Sequence, residues 1–538
     1  MKKIKSGIVF LVIVSLLAGC RKPAQRIKPI IPQEIEAHIR FLSHDLLEGR
    51  AVGSRGLALA ALYQENFFRS LDLEPLFGGS FRQPFDLEGS FPDSRAKVEI
   101  FGGEESIQLQ IIEDFVVNSF REDCPEGVEG ELVYCGYLIQ APEREWDDIK
   151  GADLKGKVLL VEINEPGNYP GGIFDGEDMT YYGRWIYKFE KAAELGATGI
   201  FIIHDTKGAS YGWEVVRNSW SGERFFLPDR EQRLFFQGWL HGEAAESVFA
   251  TAGMNHPELL ARAEDKEFEP IPLDIGVRVR QKPEFRTVST ENVGALLRGK
   301  HRKAKDRYVI LSAHYDHLGK DPAKEGDQIY NGAVDNSSAS ACLLALARFY
   351  SQQPETLKAN LIFLAANAEE EGLLGSDYFA CHLPVPHSSV LANLNFEMTN
   401  VWGETENLYA IGAKHSDLDD FCRQAAENLK LGYIPERLAQ LGYFFRSDQL
   451  SFARAGIPSV WLHEGIISRG DDKDYIIRKN EEYRREMYHQ VTDEIREDWD
   501  LRGTVQIARW AQEIISLLAE AEELPRFKAS SSFRRKDQ

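Results

Sequence analysis

Residues 309–319 read VILSAHYDHLG, an apolar run followed at once by two histidines and an aspartate. A short, uninterrupted apolar run is typical of a strand that is buried on both faces of a parallel sheet. Three later runs have the same character: LIFLAA, VLANLNF and IPSVWL. The sequence therefore predicts an α/β fold with a mixed, mainly parallel sheet flanked by helices.

Polar side chains follow three of these strands directly. His314 and Asp316 follow the first strand, Glu369 and Glu370 follow the second, and Glu397 follows the third. Ligands of open α/β sheets bind at the carboxyl ends of the strands, so these groups are expected to lie together. Imidazole and carboxylate oxygens suit zinc, which activates water in sites with an open position.

Some neighbouring polar residues have plainer interpretations. Asp335 precedes the predicted helix in NGAVDNSSASACLLALARFY, where a carboxylate often caps the helix rather than binding a ligand. His317 and His463 are interpreted as local hydrogen-bonding residues. Glu371 is interpreted as solvated or as a charge at a helix start.

The composition argues against nucleic-acid binding and predicts a globular protein. The chain has 538 residues and a formal net charge of −21, so its surface field repels nucleic acid. It is 43% hydrophobic, 11% aromatic and 27% charged, which predicts a globular protein with a substantial core. We therefore expect no nucleic-acid partner.

The N-terminus predicts export. Residues 1–20, MKKIKSGIVFLVIVSLLAGC, combine lysines, an apolar run and small residues, as in a secretory signal peptide. The ending LAGC resembles the bacterial lipobox, which implies lipidation of Cys20 and a membrane-anchored lipoprotein. Arg21 is not the aspartate of an inner-membrane retention signal, which favours the outer membrane or periplasmic face in a host with two membranes. The alternative is an ordinary signal peptide with a chance cysteine.

The rest of the chain divides into segments of different composition and hydrophobic pattern. Residues 21–32 are basic and contain proline, as in a tether, and residues 526–538 are predicted to be a disordered tail. A β-rich module is predicted over 127–265, from strands in GELVYCGYLI, GKVLLVEI and TGIFIIHD. It interrupts a larger domain formed by residues 33–126 and 266–525.

The remaining cysteines predict no metal site of their own. None of Cys124, Cys135, Cys342, Cys381 and Cys422 forms a CxxC pair, so all five are interpreted as structural. A disulfide between Cys124 and Cys135 is left open, because sequence does not give its geometry.

Six segments in the last third resemble, in order and spacing, the motifs of the di-zinc aminopeptidases, a family that includes aminopeptidase Y, glutamate carboxypeptidase II and glutaminyl cyclase. These segments are SAHYDHLG, IYNGAVDNSSAS, AEEEGLLGS, NFEM, FRSDQLSFARAGIP and MYHQVTDE. FLSHDLLEGRAVGSRG resembles the N-terminal segment of the family, and the module at 127–265 resembles its inserted protease-associated domain. The resemblance implies the zinc-peptidase, phosphorylase/hydrolase-like form of the α/β fold.

The resemblance also implies roles for individual residues. Two zinc ions would be held, one by His314 and Glu397, the other by Glu370 and His489, with Asp335 as the bridge. It further implies that Glu369 is the general base, that Tyr488 polarises the substrate carbonyl, and that Asp316 orients His314. Glu397 replaces the aspartate that is commoner in the family. Gln449 stands where many relatives have histidine and is expected to affect specificity at most.

The implied activity is hydrolysis of peptide bonds, with release of an N-terminal residue from a peptide substrate. Three alternatives stay open. One is a carboxypeptidase, which would need a cationic pocket for the substrate carboxylate. The others are a glutaminyl-cyclase-type member of the family and an inactive binding protein on the same scaffold.

Overall fold

The computed structural model describes residues 27–103, 105–228 and 234–534. The predicted signal peptide, Cys20 and residues 21–26 of the predicted tether lie outside these residues. The described part contains these α-helices: α1 (Pro32–Leu42), α2 (Arg55–Ser70), α3 (Trp185–Glu194), α4 (Thr206–Ala209), α5 (Trp213–Trp220), α6 (Gly242–Thr251), α7 (His256–Ala263), α8 (Ala339–Ser351), α9 (Leu374–Cys381), α10 (Leu418–Asn428), α11 (Gln449–Arg454), α12 (Tyr475–Glu486) and α13 (Arg502–Glu520). Within those described ranges, none of the helices is long and apolar enough to cross a membrane.

The strands form two large sheets and one short pair. In chain order they are β1 (Glu74–Pro75), β2 (Arg82–Phe91), β3 (Lys97–Phe101), β4 (Ile107–Leu109), β5 (Phe115–Asn118), β6 (Gly127–Tyr134), β7 (Gln140–Ala141), β8 (Trp146–Asp147), β9 (Val158–Glu162), β10 (Gly199–His204), β11 (Arg224–Phe226), β12 (Phe236–His241), β13 (Ile271–Arg280), β14 (Glu284–Leu297), β15 (Tyr308–His314), β16 (Asn360–Ala366), β17 (Val390–Asn395), β18 (Asn407–Ile411), β19 (Gly432–Tyr433) and β20 (Ser459–Glu464).

The first sheet has the order β11-β2-β14-β16-β15-β17-β20-β18-β19, with β1 paired to β14. Its centre is parallel: β15 pairs with β16 and β17, and β17 pairs with β20. Antiparallel strands β14 and β18 flank this centre. The four apolar runs thus form neighbouring parallel strands, and the predicted mixed, mainly parallel α/β sheet is confirmed.

Helices bury both faces of the first sheet. Along β15, Val309 and Leu311 belong to the large core that α1, α2, α8, α10 and α13 share, whereas Ile310 faces the core beneath α9 and α11. On β16, Phe363 and Leu364 are divided between the two cores in the same way. Because successive side chains of a strand point to opposite faces, a strand covered on both sides must be apolar throughout.

The second sheet has the order β4-β3-β13-β6-β9-β10-β12-β5. The predicted bounds of this module, 127 and 265, were wrong. Its sheet begins at Lys97 and ends at Arg280, because β13 pairs with β3 on one side and with β6 on the other. Strands β3, β4 and β5 belong to the second sheet because of pairing between distant segments, which the local amino-acid pattern does not reveal.

The two units also share a sheet. Strand β11, which comes from the middle of the second unit, pairs antiparallel with β2 at the edge of the first sheet. Side chains reinforce the connection: Arg446 Nη2 donates to Ser210 Oγ at 3.0 Å, and Lys414 Nζ lies 3.0 Å from Asp178 Oδ2. The second unit therefore contributes to the walls around the end of the first sheet.

Two predictions about chain ends were wrong for the described residues. Residues 28–32 of the predicted tether are packed on the domain, with Ile30 buried and the carbonyl of Lys28 accepting a hydrogen bond from Arg348. In the predicted disordered tail, Phe527 and Phe533 are buried in an aromatic cluster. Two phenylalanines supply enough apolar area to hold a short polar segment in place.

Candidate active site

The parallel register of the central strands assembles the site. His314 ends β15 and is paired with Ala366, the last residue of β16, so Glu369 follows only three residues beyond this level. Ser312 is paired with Asn395, which places Glu397 two residues past the end of β17. Because the strands are parallel and in register, all three polar groups emerge at one edge of the sheet.

Two groups of possible metal ligands meet at this edge. In the first, His314 Nε2 lies 3.1 Å from Glu397 Oε1 and 3.3 Å from Asp335 Oδ1. In the second, His489 Nε2 lies 3.2 Å from Asp335 Oδ2 and 3.2 Å from Glu370 Oε2. The two oxygens of Asp335 thus face different histidines, which is the arrangement of a bridging carboxylate.

The spacing of these donor atoms fits zinc. Tetrahedral ligands about 2.0 Å from a zinc ion are separated from one another by roughly 3.3 Å. The four histidine-to-carboxylate distances agree with that edge length. Cys ligands are absent from both groups, and the donor set of imidazole and carboxylate is that of catalytic rather than structural zinc sites.

The charges of the site also require a cation. None of its four carboxylates (Asp335, Glu369, Glu370 and Glu397) forms an ion pair with a lysine or arginine within the part of the chain that the structure describes. Burial disfavours a charged His314, but Glu397 and Glu369 outweigh burial and raise the pKa of this imidazole well above its usual value. Arg50 is a buried cation whose charge acts on Asp335 and Glu370, but one guanidinium does not balance four carboxylates, which are tolerated only with further bound cations or protons.

Asp335 does not act as the helix cap that its position allowed. It lies in a distorted turn at Ala333–Ser338, and no side-chain cap hydrogen bond forms at the start of α8. Instead, the carboxylate of Asp493 accepts hydrogen bonds from the backbone N–H groups of Val334 and Asp335, at 3.0 and 3.1 Å. Asp493 was missed in the sequence, although it lies in the segment MYHQVTDE.

Asp316 lies next to His314 and also contacts the loop that carries the two glutamates. Its Oδ1 is 3.6 Å from His314 Nδ1, too far for a hydrogen bond, whereas its backbone oxygen is 3.2 Å from the same nitrogen. The carboxylate accepts the backbone N–H groups of Glu369 and Glu370, both at 3.2 Å. Asp316 therefore positions the two glutamates, and its carboxylate also lies beside His314, so the expectation that it orients this imidazole stays a prediction.

His317 makes the local hydrogen bond that was expected, but with a ligand candidate. Its Nδ1 is 2.7 Å from Glu370 Oε1, the oxygen that does not face His489. His317, Asp335 and Glu370 also lie close enough together to hold an ion. His317 thus fixes the rotation of the Glu370 carboxylate, and proximity in the sequence to His314 is the signal that marks it.

Glu369 and Tyr488 stand beside the ligand candidates. Glu369 Oε2 is 3.8 Å from His314 Nε2, farther than the oxygens of Glu397 and Asp335. Burial raises the pKa of Glu369 well above its usual value. Tyr488 is 40% exposed and stacks on His489, with ring centroids 3.9 Å apart. Both residues line one cavity of about 690 Å³, together with Asp335, Glu370, Glu397 and His489.

The remaining polar candidates have other environments. His463 stacks on Tyr409 and makes a local contact, as expected. Glu371 is half-buried rather than solvated, and burial raises its pKa to about 8. Gln449 is buried and binds Asn395 and Phe444, so it is not among the ligand candidates. All five cysteines in the described residues are free thiols, and Cys124 and Cys135 form no disulfide.

Comparison with known proteins agrees with this geometry. Residues 292–513, which contain every ligand candidate, match the model of peptidase family M28. This segment is similar to the M28 peptidases. The resemblance to the di-zinc aminopeptidases that the sequence motifs carried is thereby confirmed.

Individual relatives of this segment are aminopeptidases by name. Aminopeptidase YwaD of Bacillus subtilis is 31% identical over 181 residues, which are 33% of this chain and 36% of YwaD. Aminopeptidase Y of Saccharomyces cerevisiae is 27% identical over 203 residues, 36% of this chain and 33% of its own length. The matches thus span about a third of these curated relatives.

A solved structure extends the likeness of the fold to both units. The aminopeptidase from Aneurinibacillus sp. strain AM-1 superposes with a TM-score of 0.51 at 22% identity, and the match covers 92% of this chain and 95% of that one. At this identity the likeness concerns the fold alone.

Proposed function

We propose that this protein is a zinc-dependent exopeptidase that removes N-terminal residues from peptides. The observation that carries the proposal is the position of Asp335, whose two oxygens lie 3.3 and 3.2 Å from two different histidines. One ion would be held by His314, Glu397 and Asp335, and a second by His489, Glu370 and Asp335. Zinc in such a site supplies the Lewis acidity that activates water and polarises a carbonyl at neutral pH.

The protein's own groups then divide the proton transfers. Glu369 is half-buried and lies outside the closest donor atoms, so its carboxylate is available to take a proton from water and return it to the leaving amine. Asp316 holds this loop by accepting the N–H group of Glu369. Tyr488 lines the same cavity and is available to donate its O–H to the developing oxyanion.

Glu397 accommodates its extra methylene through a neighbouring hydroxyl. Ser447 Oγ donates to Glu397 Oε2 at 2.7 Å, so Oε1 is left facing His314. A glutamate held at both oxygens serves as a ligand in the place of the commoner aspartate. Partners of this kind tune metal affinity by about 10–100-fold.

We further propose that the second unit, residues 97–280, is a protease-associated domain that restricts access to the site. Arg184, Tyr211 and Trp220 of this unit line the same cavity as Glu369 and His489. A wall supplied by a second unit limits the size of peptide that can enter.

The test uses purified mature protein with zinc, a panel of unblocked, N-acetylated and C-amidated peptides, and a chelator. Unblocked peptides should lose their N-terminal residue, the chelator should abolish cleavage, and added zinc should restore it. Cleavage of N-acetylated peptides would indicate a carboxypeptidase or endopeptidase instead. If zinc-loaded protein cleaves no peptide of the panel, the proposal is wrong.

A further inference from the structure

Four arginines line the active-site cavity: Arg184, Arg224, Arg446 and Arg484. We call the three whose charges act on Tyr211, Arg184, Arg224 and Arg446, the arginine wall. They line the same cavity as Glu369, Glu370 and His489. Arg184 and Arg224 come from the second unit, and Arg446 precedes α11 of the peptidase domain. The cavity is thus lined both by the acidic metal-ligand candidates and by arginines.

Arg184 has no counterion within the described ranges. The side chain is 7% exposed, and its Nε is buried without a hydrogen-bond partner. Among the residues that the structure describes, no carboxylate forms an ion pair with it. Burial and the charge of Arg446 lower the pKa of Arg184 to about 10. A buried guanidinium is normally paired, since an unpaired buried charge is costly.

Arg446 is held in place by a neutral oxygen, and Arg224 lies near one carboxylate, that of Glu371. Arg446 Nη2 donates to Ser210 Oγ at 3.0 Å, but its Nε is also buried without a partner. Arg224 stacks over Trp220, 4.9 Å from the ring centre, and its Nη1 donates to the carbonyl of Ser219 at 3.1 Å. Neutral oxygens and an aromatic ring orient these guanidinium groups, and the charge of Arg446 stays available, whereas that of Arg224 is partly balanced by Glu371.

The positive charges of the arginine wall act together on one side chain. Tyr211 lines the cavity, and the charges of Arg184, Arg446 and Arg224 all act on it. Tyr488, the hydroxyl proposed to contact the substrate carbonyl, lines the same cavity. An anion bound by the wall would therefore lie on the same substrate molecule as the bond being cleaved.

We propose that the arginine wall binds a carboxylate of the peptide substrate, so that the enzyme prefers short peptides with a carboxylate close to the scissile bond. This inference rests on the proposed peptidase function and specifies its substrate class. Planar guanidinium groups match carboxylates with paired, charge-assisted hydrogen bonds. A cavity of about 690 Å³ is in the range of small-ligand sites, which suits a peptide of a few residues.

Two sources of this carboxylate are distinguished by matched peptides. Leu-Ala as the free acid is compared with Leu-Ala-amide, which tests the terminal carboxylate. Leu-Asp-amide is compared with Leu-Asn-amide, which tests an acidic side chain. In at least one pair, the wild-type protein should show a kcat/KM about ten-fold or more higher for the charged member.

Variants then connect the preference with the wall. Arg184→Gln and Arg446→Gln should each lower the charged-to-neutral ratio of kcat/KM by about ten-fold, mainly through KM. Arg485→Gln is the matched control: this arginine is 71% exposed, pairs with Glu486 and does not line the cavity. Its ratio should equal that of the wild type. If Arg184→Gln does not fold, the test is decided by Arg446→Gln, because Arg446 is only half-buried.

The outcomes separate this inference from the proposed function. Equal cleavage of charged and neutral peptides by the wild type would overturn the inference and leave the peptidase function intact. A preference that survives in both cavity variants would also overturn it. Cleavage of N-acetyl-Leu-Ala with the same dependence on Arg184 would support the wall but replace aminopeptidase by carboxypeptidase specificity.

Discussion

Glu369 and Glu370 are adjacent in the chain, yet substitution by glutamine should affect them differently. Glu370 Oε2 is 3.2 Å from His489 Nε2, and its Oε1 is 2.7 Å from His317 Nδ1. Glu369 Oε2 is 3.8 Å from His314 Nε2, beyond the 3.1 Å of Glu397 Oε1. Glu370 therefore belongs to the donor set, whereas Glu369 stands next to it.

Glu369→Gln removes a proton acceptor and keeps the donor set complete. The expected loss of kcat is about 10²–10⁴-fold, or roughly 2.7–5.4 kcal/mol in activation free energy, with little change in zinc content. Glu370→Gln replaces an anionic ligand by a neutral amide. Loss of an outer partner alone weakens metal binding by about 10–100-fold, so loss of a ligand should exceed this range at one of the two sites.

The assay is metal analysis of both variants and the wild type after dialysis against a defined free zinc concentration, with kinetics on one unblocked peptide. Excess zinc should restore part of the activity of Glu370→Gln and none of that of Glu369→Gln. The reasoning is refuted if Glu369→Gln loses a zinc ion while Glu370→Gln retains two, since the roles of the two carboxylates would then be exchanged.

Three further predictions concern other parts of the protein. Cys20→Ser should move the protein from the membrane to the soluble fraction, because the proposed lipid anchor is lost; a variant that still sediments with membranes contradicts lipidation. Ser447→Ala should weaken zinc binding by about 10–100-fold through the freed Glu397 oxygen, measured by chelator competition, and unchanged affinity would exclude this role. Burial lowers the pKa of His415 to about 3 from a usual value of 6.5. As the pH drops below about 6.5, the imidazole is therefore protonated in the unfolded chain but not in the folded one, and the free energy of unfolding should fall. His415→Gln should reduce the slope of the unfolding free energy against pH by up to about 1.4 kcal/mol per pH unit, as measured by urea unfolding at several pH values. An unchanged slope would contradict the assignment.

The parallel strands and three of the site groups were predictable because the information is local. A strand buried on both faces is recognisable as an unbroken apolar run, and the polar residue at its end follows within a few positions of the sequence. His314, Glu369 and Glu397 each follow such a run directly. Parallel pairing then brings the ends of the strands to one edge, so the grouping of these residues follows from the fold class.

Asp335 and His489 required more than local pattern. On its own, Asp335 was compatible with a helix cap, and His489 lies in a segment after α12 with no apolar run before it. Their roles were available only through resemblance to the family. In the structure, Asp493 and Asp316 direct the loops concerned by accepting backbone N–H groups, and no sequence pattern specifies those contacts.

Tertiary structure alone decided the limits of the second unit, the packing of the tail and the arginine wall. Strands β3 and β13 lie far apart in the chain but pair in one sheet, and β11 crosses to the other sheet. Arg184 and Arg446 are separated by more than two hundred residues, and each is unremarkable in its own segment. Pairing and proximity between distant segments depend on how the whole chain folds, whereas strand character and strand-end chemistry are determined by neighbouring residues.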